Sequence, residues 1–395
     1  MKVALFANTD WYLYNFKLSL AQELRDRGCE VVLFSPPGEY TTRLEEAGFV
    51  WKEVPMRRRS INPLAELRVI MRLAKLLAAE RPDILHNFTI KCAVYGSIAS
   101  KLATTGGIVN SIAGLGFVFT SQKALARLLR PIVRGLFRLS LGGPRITVVV
   151  QNPDDLAFFN KARWINPRDV CLIKGSGVNL ARFRDRDRRD VLDRSRPLRL
   201  VLASRLLWDK GIGEFIDAAK QLKNESRHYS FILAGTPDKG NPVSVPEGEI
   251  SRWQSEGIVE WLGHVADMPG LFNDVDVIVL PSYREGLPKS LIEAAACGLA
   301  IVTTDAPGCN EVVNDDGKNG LLVPVRNASA LASAIRRLEE DRALCLTLGN
   351  AARERALLEF DERIVIRKTI AVYEQLTNAT IQDVAAESRR AVTPS

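Results

Sequence analysis

The sequence predicts an α/β protein built from two doubly wound domains, and three observations carry that prediction. The chain has 395 residues, too many for one domain of roughly 150 and a good match to two. Short apolar runs alternate with helix-length amphipathic segments on both sides of a charged, glycine-bearing break near 175–196, and that alternation is the signature of parallel βαβ units. Hydrophobic residues make up 46% and charged residues 25%, which supplies two cores and excludes a disordered or fibrous chain.

The elements follow in order. Val3–Ala7 is a strand-length apolar run ending in polar Asn8, Thr9 and Asp10, too brief for a signal-peptide core. Helix Phe16–Arg27, strand Glu30–Ser35, helix Tyr40–Ala47, helix Leu64–Glu80, strand Ile84–Asn87, helix Ala93–Ala103, strand Ile108–Ile112, helix Lys123–Leu141 and strand Ile146–Gln151 continue the rhythm. The uncharged stretch Leu102–Gln122 has transmembrane length, but four glycines and polar residues such as Asn110, Ser111 and Gln122 exclude a span.

The dense charged run Arg182–Asp190 reads as a linker over 178–196. From Pro197 the pattern repeats, with strands at Arg199–Ala203, Tyr229–Ala234, Ile258–Leu262, Val277–Pro281 and Ala300–Thr304, and closing helices at 328–340, 342–358 and 361–376. The expected division is 1–177, a linker at 178–196, 197–360, a helix at 361–380 returning to the first domain, and a tail at 381–395. Two such sheets would bring their carboxyl-end crevices to a shared central cleft.

Charge is unevenly placed. The net of +8 resolves into 25 basic against 14 acidic side chains in residues 1–180 and 29 against 32 in the remainder. No acid falls between Asp83 and Asp154, a stretch that holds Lys91, Lys101, Lys123, Arg127, Arg130, Arg134, Arg138 and Arg145; something anionic is expected there. At about 100° per residue, Lys123, Arg127, Arg130, Arg134 and Arg138 share one helical face, with Leu125, Leu128, Leu129, Ile132, Leu136 and Leu139 opposite. Such a helix suits an anionic membrane surface, or else it is a core helix with a solvated basic face; Pro131 kinks or interrupts it either way. Met56 followed by Arg57, Arg58 and Arg59 adds a second basic cluster.

The richest chemistry lies in Ile278–Ala294. A strand ends at Pro281, a loop carries Glu285, and Pro288 stands where a first helical position favours it. Leu287, Pro288, Lys289 and Ser290 open a helix whose N-terminal amides and dipole suit phosphate. Glu285 and Glu293, eight residues apart, suit sugar or ribose hydroxyls, or else are a solvated loop residue and a local ion-pair partner. Arg205 ends the second domain's first strand and Lys210 follows in the turn; a guanidinium fork plus an ammonium neutralises a diphosphate without a metal.

Arg205, Lys210-Gly211, Glu285-x7-Glu293, Asp274-Val-Asp-Val with Leu280-Pro-Ser, and Asn310-Glu-Val with Gly317-x-x-Gly320-Leu-Leu-Val together resemble the retaining nucleotide-sugar glycosyltransferases of family 4, whose two Rossmann-like domains form the B fold. The resemblance implies that Glu293 binds the nucleotide ribose, Glu285 touches donor-sugar hydroxyls, Arg205 and Lys210 hold the diphosphate of a leaving group such as UDP, and the His264-Val265 loop meets the base. In the first domain, His86-Asn-Phe-Thr-Ile-Lys91, Tyr95-Gly96 and Asn110–Phe119 are similar to the bacterial branch acting on undecaprenyl-diphosphate sugars. One departure stands out: the Gly-Gly pair common in the family's first loop is here Asn8–Asn15, where Trp11, Tyr12 and Tyr14 either stack on a ligand or pack in the core.

The resemblance therefore implies a metal-independent, retaining hexosyl or N-acetylhexosaminyl transfer from a UDP-linked sugar to a polyprenyl-diphosphate-linked glycan, forming an α-linkage in bacterial surface-glycan or glycoprotein-glycan assembly. The expected partners are the nucleotide sugar, that glycan acceptor and an anionic membrane surface. His86 is a catalytic candidate as a hydrogen-bond donor at the cleft, or else structural; His228 reads as surface. Asp274-x-Asp276 reads as turn chemistry, and no metal and no cofactor are expected. Six cysteines without a Cys-x-x-Cys pair read as reduced thiols, which with the basic helix gives a cytoplasmic protein on the inner face of the membrane. The alternative within the class is a cytosolic transferase with a soluble acceptor. A dinucleotide oxidoreductase is disfavoured because neither Val3–Asn15 nor Val201–Gly213 holds a Gly-x-Gly-x-x-Gly, and the basic residues are not interleaved with aromatics as nucleic-acid binding requires.

Overall fold

Runs such as Ile84–Phe88 and Val277–Leu280 are buried at every position, which only a sheet covered on both faces allows. The computed structural model describes residues 1–57, 60, 62–112, 124–162, 165–185, 187–225, 229–313 and 317–382, with 124–130 and 132 described as backbone only. Two compact units emerge, Met1–Ser176 with Val365–Ser395, and Gly177–Ile364.

In the first unit β1 (Lys2–Phe6), β2 (Glu30–Ser35), β3 (Val50–Glu53), β4 (Ile84–Phe88), β5 (Gly107–Ile112), β6 (Ile146–Val150) and β7 (Val170–Leu172) form one sheet in the order 3-2-1-4-5-6-7. In the second, β8 (Leu198–Ala203), β9 (Tyr229–Ala234), β10 (Glu260–Gly263), β11 (Val277–Leu280), β12 (Ala300–Thr304) and β13 (Leu321–Val323) run 10-9-8-11-12-13. Every pairing among these strands is parallel, as in Val3↔Ile84 and Val277↔Leu200. The order reverses between β1 and β4 and between β8 and β11, so the loops leaving those four strands flank the switch point of each sheet, where open α/β sheets bind ligands.

Helices cover both faces. On one side of the first sheet Val69, Leu73 and Leu77 of helix Pro63–Glu80 pack on Phe6, Phe34 and Leu85. On the other, Leu20 and Leu24 of helix Leu18–Asp26 join Val365, Ile366, Ile370 and Tyr373 of the last helix, Glu362–Thr377, over Leu5 and Leu33. The first helix does not start at Phe16: Asp10–Tyr12 is already helical, and a π-helical turn, Leu13–Lys17, joins it to Leu18–Asp26. Helix Ala124–Leu141 runs through Pro131 in one piece, so of the kink or interruption expected there the interruption is absent.

The run at 178–196 is no linker. Phe183 and Val191 are buried in the second unit's core, and Arg188, 8% exposed, donates to three carbonyls at 2.8 Å: Cys297 O through Nε, Val275 O through Nη1 and Phe272 O through Nη2. Arg182, Arg184, Asp185, Asp187, Arg189 and Asp190 stay exposed, but Arg188 satisfies carbonyls at the ends of neighbouring elements, an obligation of buried backbone. Asp276 is used similarly: it takes a bidentate pair from Arg196 at 2.8 and 2.9 Å and the Arg199 N–H at 2.9 Å, so its place after Asp274 reflects fold chemistry. His228 and the tail from 383 onward lie outside the described residues.

Replacing Arg188 with Ala leaves three buried carbonyls without their donors, and unfolding of the second unit in urea is expected to lose about 2–4 kcal/mol. Arg188→Lys, with one ammonium for three acceptors, should recover only part of that; a loss under about 0.5 kcal/mol for Arg188→Ala would contradict the clamp.

Candidate active site

In the second unit the sequence candidates gather at the carboxyl edge, on both sides of the switch between β8 and β11. Arg205 follows β8, and Lys210 ends a short 3-10 turn, Trp208–Lys210. Gly211 has φ +76°, and a Cβ there would lie 2.2 Å from the Pro281 carbonyl oxygen, so glycine is what lets the Lys210 turn touch the end of β11. Tyr283 N–H donates to Asp209 O at 2.9 Å and Glu285 N–H to Pro307 O at 2.9 Å. Gly308, φ +82°, closes the third side, where an added Cβ would stand 2.5 Å from Glu285 O. The loops after β8, β11 and β12 are thus laced into one frame that fixes Lys210 against Glu285, and the two form an ion pair with both side chains about 15% exposed.

Helix Lys289–Ala296 begins after Pro288, which is the cap residue and not the first helical one, and no side chain caps it. Leu287 and Pro288 are buried behind the opening, and Lys289 and Ser290 are half-buried. Glu293 is 8% exposed; burial pushes its carboxyl above the ordinary glutamate value, opposed by Lys289, whose Nζ is 3.3 Å away. Arg205, half-exposed, meets Asp238 Oδ2 at 2.9 Å. His264 is exposed and Val265 packs against the core just past Gly263, the end of β10. A cavity of about 460 Å³ opens beside Asp238, lined by Thr236, Pro237, Lys239, Glu247 and Trp261. Asp238 was not among the sequence candidates; nothing in its own neighbourhood marks it, because its partner is 33 residues away.

The first unit revises more. His86 does not face a crevice: it is 2% exposed, and its Nδ1 hydrogen-bonds Tyr373 Oη at 2.6 Å and its Nε2 Ser111 Oγ at 2.7 Å. Burial, with Lys17 nearby, holds its pKa well below the ordinary imidazole value, so the ring is neutral and ties the last helix to β4 and β5. Lys91 is likewise turned inward, 3.1 Å from Glu66 Oε2 and donating to Arg57 O and Ser60 O at 2.7 and 3.0 Å; it anchors a loop, where an anion contact was expected. At the β1–β4 switch the residues that stand out were missed by sequence reasoning. Asp10, buried, accepts from Tyr40 N–H at 2.8 Å and Thr41 Oγ1 at 3.2 Å. Lys17, buried on the π turn, donates to Ser176 Oγ at 3.0 Å with its Nζ 4.7 Å from the Phe88 ring centre. Thr89, between β4 and helix Ile90–Ala103, holds φ +79° and ψ 157°, a conformation that costs a non-glycine residue about 1–3 kcal/mol. Tyr12 stacks on Phe16 at 4.9 Å and Tyr14 meets Tyr40 at 5.2 Å, whereas Trp11 is exposed.

Of the basic helix, Arg134 and Arg138 are exposed; the side chains of Arg127 and Arg130 lie outside the described part, as do Arg58, Arg59, Lys123 and 113–120. Arg57 is exposed. Phe137 and Leu141 bury their side chains, while Leu136 and Leu139, expected on a covered apolar face opposite the arginines, are 39% and 61% exposed. Among the described residues no helix is long and apolar enough to cross a membrane, and no three His, Cys, Asp or Glu gather around a possible metal position.

The fold matches the crystal structure of Anabaena Alr3699/HepE in complex with UDP, at a TM-score of 0.75 and 22% identity over 95% of this chain and 100% of that one. Two doubly wound units of this kind define the class, an enzyme with the glycosyltransferase B fold. Family models described as glycosyl transferases group 1 and glycosyl transferase 4-like match residues 183–355 and 2–142. The chain is 30% identical, over 95% of its length and 99% of the relative's, to the N,N'-diacetylbacillosaminyl-diphospho-undecaprenol alpha-1,3-N-acetylgalactosaminyltransferase of Campylobacter jejuni. It is 24% identical, over 74% and 75%, to the UDP-Gal:alpha-D-GlcNAc-diphosphoundecaprenol alpha-1,3-galactosyltransferase of Escherichia coli. The chain belongs to the group 1, family-4-like glycosyltransferases, in their bacterial branch, and is a glycosyltransferase.

Glu293 supplies a test of the site's electrostatics. A carboxyl whose folded pKa is raised above its unfolded value, here 4.5 as the reference, adds stability that is full below the unfolded pKa and lost as pH rises through the folded one. Glu293→Gln removes that loss, so its melting temperature is expected to exceed the wild type's at pH 7 and to converge on it near pH 4, while nucleotide-sugar affinity falls. A lower melting temperature at pH 7 would contradict the burial argument.

Proposed function

We propose that the enzyme transfers a hexose or N-acetylhexosamine, with retention, from a UDP-linked sugar to a polyprenyl-diphosphate-linked glycan at the cytoplasmic face of a membrane. The observation that carries the acceptor class is the end-to-end relatedness to an enzyme whose acceptor is a diphospho-undecaprenol sugar, joined by a second such enzyme over three quarters of the chain. Lys210 pairs with Glu285 in the loop that leads to the uncapped start of helix Lys289–Ala296, and Arg205 follows β8 at the same switch point, a set that suits a departing diphosphate better than a neutral substrate. Charge accumulating on the leaving group is stabilised more in the transition state than in the ground state, which is the requirement for rate acceleration. Two cations do there what a divalent ion would do. Glu285 and Glu293 accept from donor-sugar and ribose hydroxyls, and the His264-Val265 loop borders the base. The acceptor hydroxyl attacks on the face that the diphosphate leaves, and a phosphate oxygen takes its proton.

The membrane part of the reading is supported by side chains whose exposure makes little sense in water alone. On helix Ala124–Leu141 Leu136 and Leu139 are exposed as well as Arg134 and Arg138, and on helix Pro63–Glu80 Leu64, Leu67 and Met71 stand out beside Arg68, Arg72 and Lys75, while Glu66 among them is buried. Apolar side chains set among cations, with no exposed acid between, fit the headgroup layer of an anionic leaflet.

A nucleotide-release screen across UDP- and GDP-sugars, with and without short polyprenyl-diphosphate sugars, tests the substrate class. UDP release that depends on the lipid-linked sugar is expected, and release that depends only on a soluble sugar would overturn it. Arg205→Ala and Lys210→Ala should each lower turnover by about 10²-fold; unchanged turnover would remove them from the site. In vesicle pelleting, wild type should sediment with anionic lipid and a variant carrying Arg134→Gln, Arg138→Gln, Leu136→Ser and Leu139→Ser should stay in solution. Equal behaviour of the two proteins would count against the membrane face.

A further inference from the structure

The contact between Arg205 and Asp238 is built, not incidental. The loop after β9 is zipped to the loop after β8 by Leu206 N–H to Thr236 O at 3.0 Å, Trp208 N–H to Val243 O at 2.8 Å and Val245 N–H to Leu206 O at 3.0 Å. Gly235 passes so close that a Cβ would lie 1.8 Å from Ser204 O. Within this loop Asp238 N–H donates to Ser244 Oγ at 2.9 Å, and Oδ2, the oxygen that meets Arg205, also accepts from Asn241 Nδ2 at 3.1 Å. The carboxylate is therefore held, with its side chain 13% exposed, whereas the long, jointed Arg205 side chain is 50% exposed. Of the two, Arg205 is the partner able to move.

We propose that Asp238 is a positioning residue, the resting counter-ion of Arg205, from which an incoming nucleoside diphosphate takes the guanidinium. This rests on the reading of Arg205 as a diphosphate ligand. The carboxylate keeps the long side chain ordered at the rim while the site is empty. It also opposes every diphosphate that enters, through competition for the same guanidinium. The product diphosphate meets the same opposition as the donor, so the residue weakens product retention as well. Two signatures follow that a merely structural loop residue would not produce: the effect grows with phosphate charge, and it vanishes when Arg205 is absent.

The test is calorimetric titration of the full chain with UDP, UMP and uridine, in wild type, Asp238→Asn, Arg205→Ala and the double variant. Asp238→Asn is expected to tighten UDP by about two- to fivefold, the range of an exposed ion pair, to tighten UMP less and to leave uridine unchanged. The double variant should bind UDP as Arg205→Ala does, and Asp238→Glu should restore wild-type affinity. If Arg205→Ala binds UDP as tightly as wild type, the reading of Arg205 itself fails. If Arg205→Ala weakens UDP but Asp238→Asn does not tighten it, or tightens it equally without Arg205, this proposal alone is overturned. Should Asp238→Asn unfold, Asp238→Ser is read in the same way.

Discussion

All-parallel pairing is the constraint on which the rest depends. Parallel strands need a crossover between neighbours, and the crossovers bury both faces, so every described strand delivers its following loop to one edge. Arg205, Asp238, His264, Glu285 and the loop at 305–311 leave five different strands of the second sheet and still reach a common rim. Gly211 and Gly308 then bring loop backbones within contact, which turns separate strand ends into one frame.

That frame is balanced in charge. Arg205 faces Asp238, Lys210 faces Glu285, and Lys289 faces Glu293, so the rim presents cations without standing as an uncompensated positive field. The basic residues elsewhere divide by role rather than by count. Arg188 and Lys101 serve backbone carbonyls, Lys101 closing the end of helix Ala124–Leu141 at Leu139 O and Gly142 O. Arg134 and Arg138 stay at the surface. A net charge read from composition sums these uses and tells them apart no better than a total tells its parts.

Element types were legible because a buried parallel strand is a short apolar run and its crossover helix is amphipathic; both signals are local. The positions of Arg205, Lys210, Glu285 and Glu293 at the carboxyl edge were legible for the same reason, each sitting within a few residues of a strand end or helix start. What escaped had remote causes. His86 looks like a strand-end histidine until Tyr373, 287 residues on, occupies its Nδ1. Lys91 looks like a free cation until Arg57 O and Glu66 surround it. The run at 178–196 looks solvated because its charges outnumber Phe183 and Val191, yet those two apolar side chains and the Arg188 fork decide where it folds.

The π turn at Leu13–Lys17 has a consequence for how this first loop can change in length. Such a turn closes on the fifth residue ahead where an α turn closes on the fourth, so it stores one residue of slack between β1 and the helix that covers it. Dropping that residue would let the helix run straight from Asp10, rotating Trp11 and Tyr12 by about 100° while the strand and the helix stay in register. A change in the length of the Asn8–Asn15 run can be absorbed in that slack without disturbing the sheet beneath it.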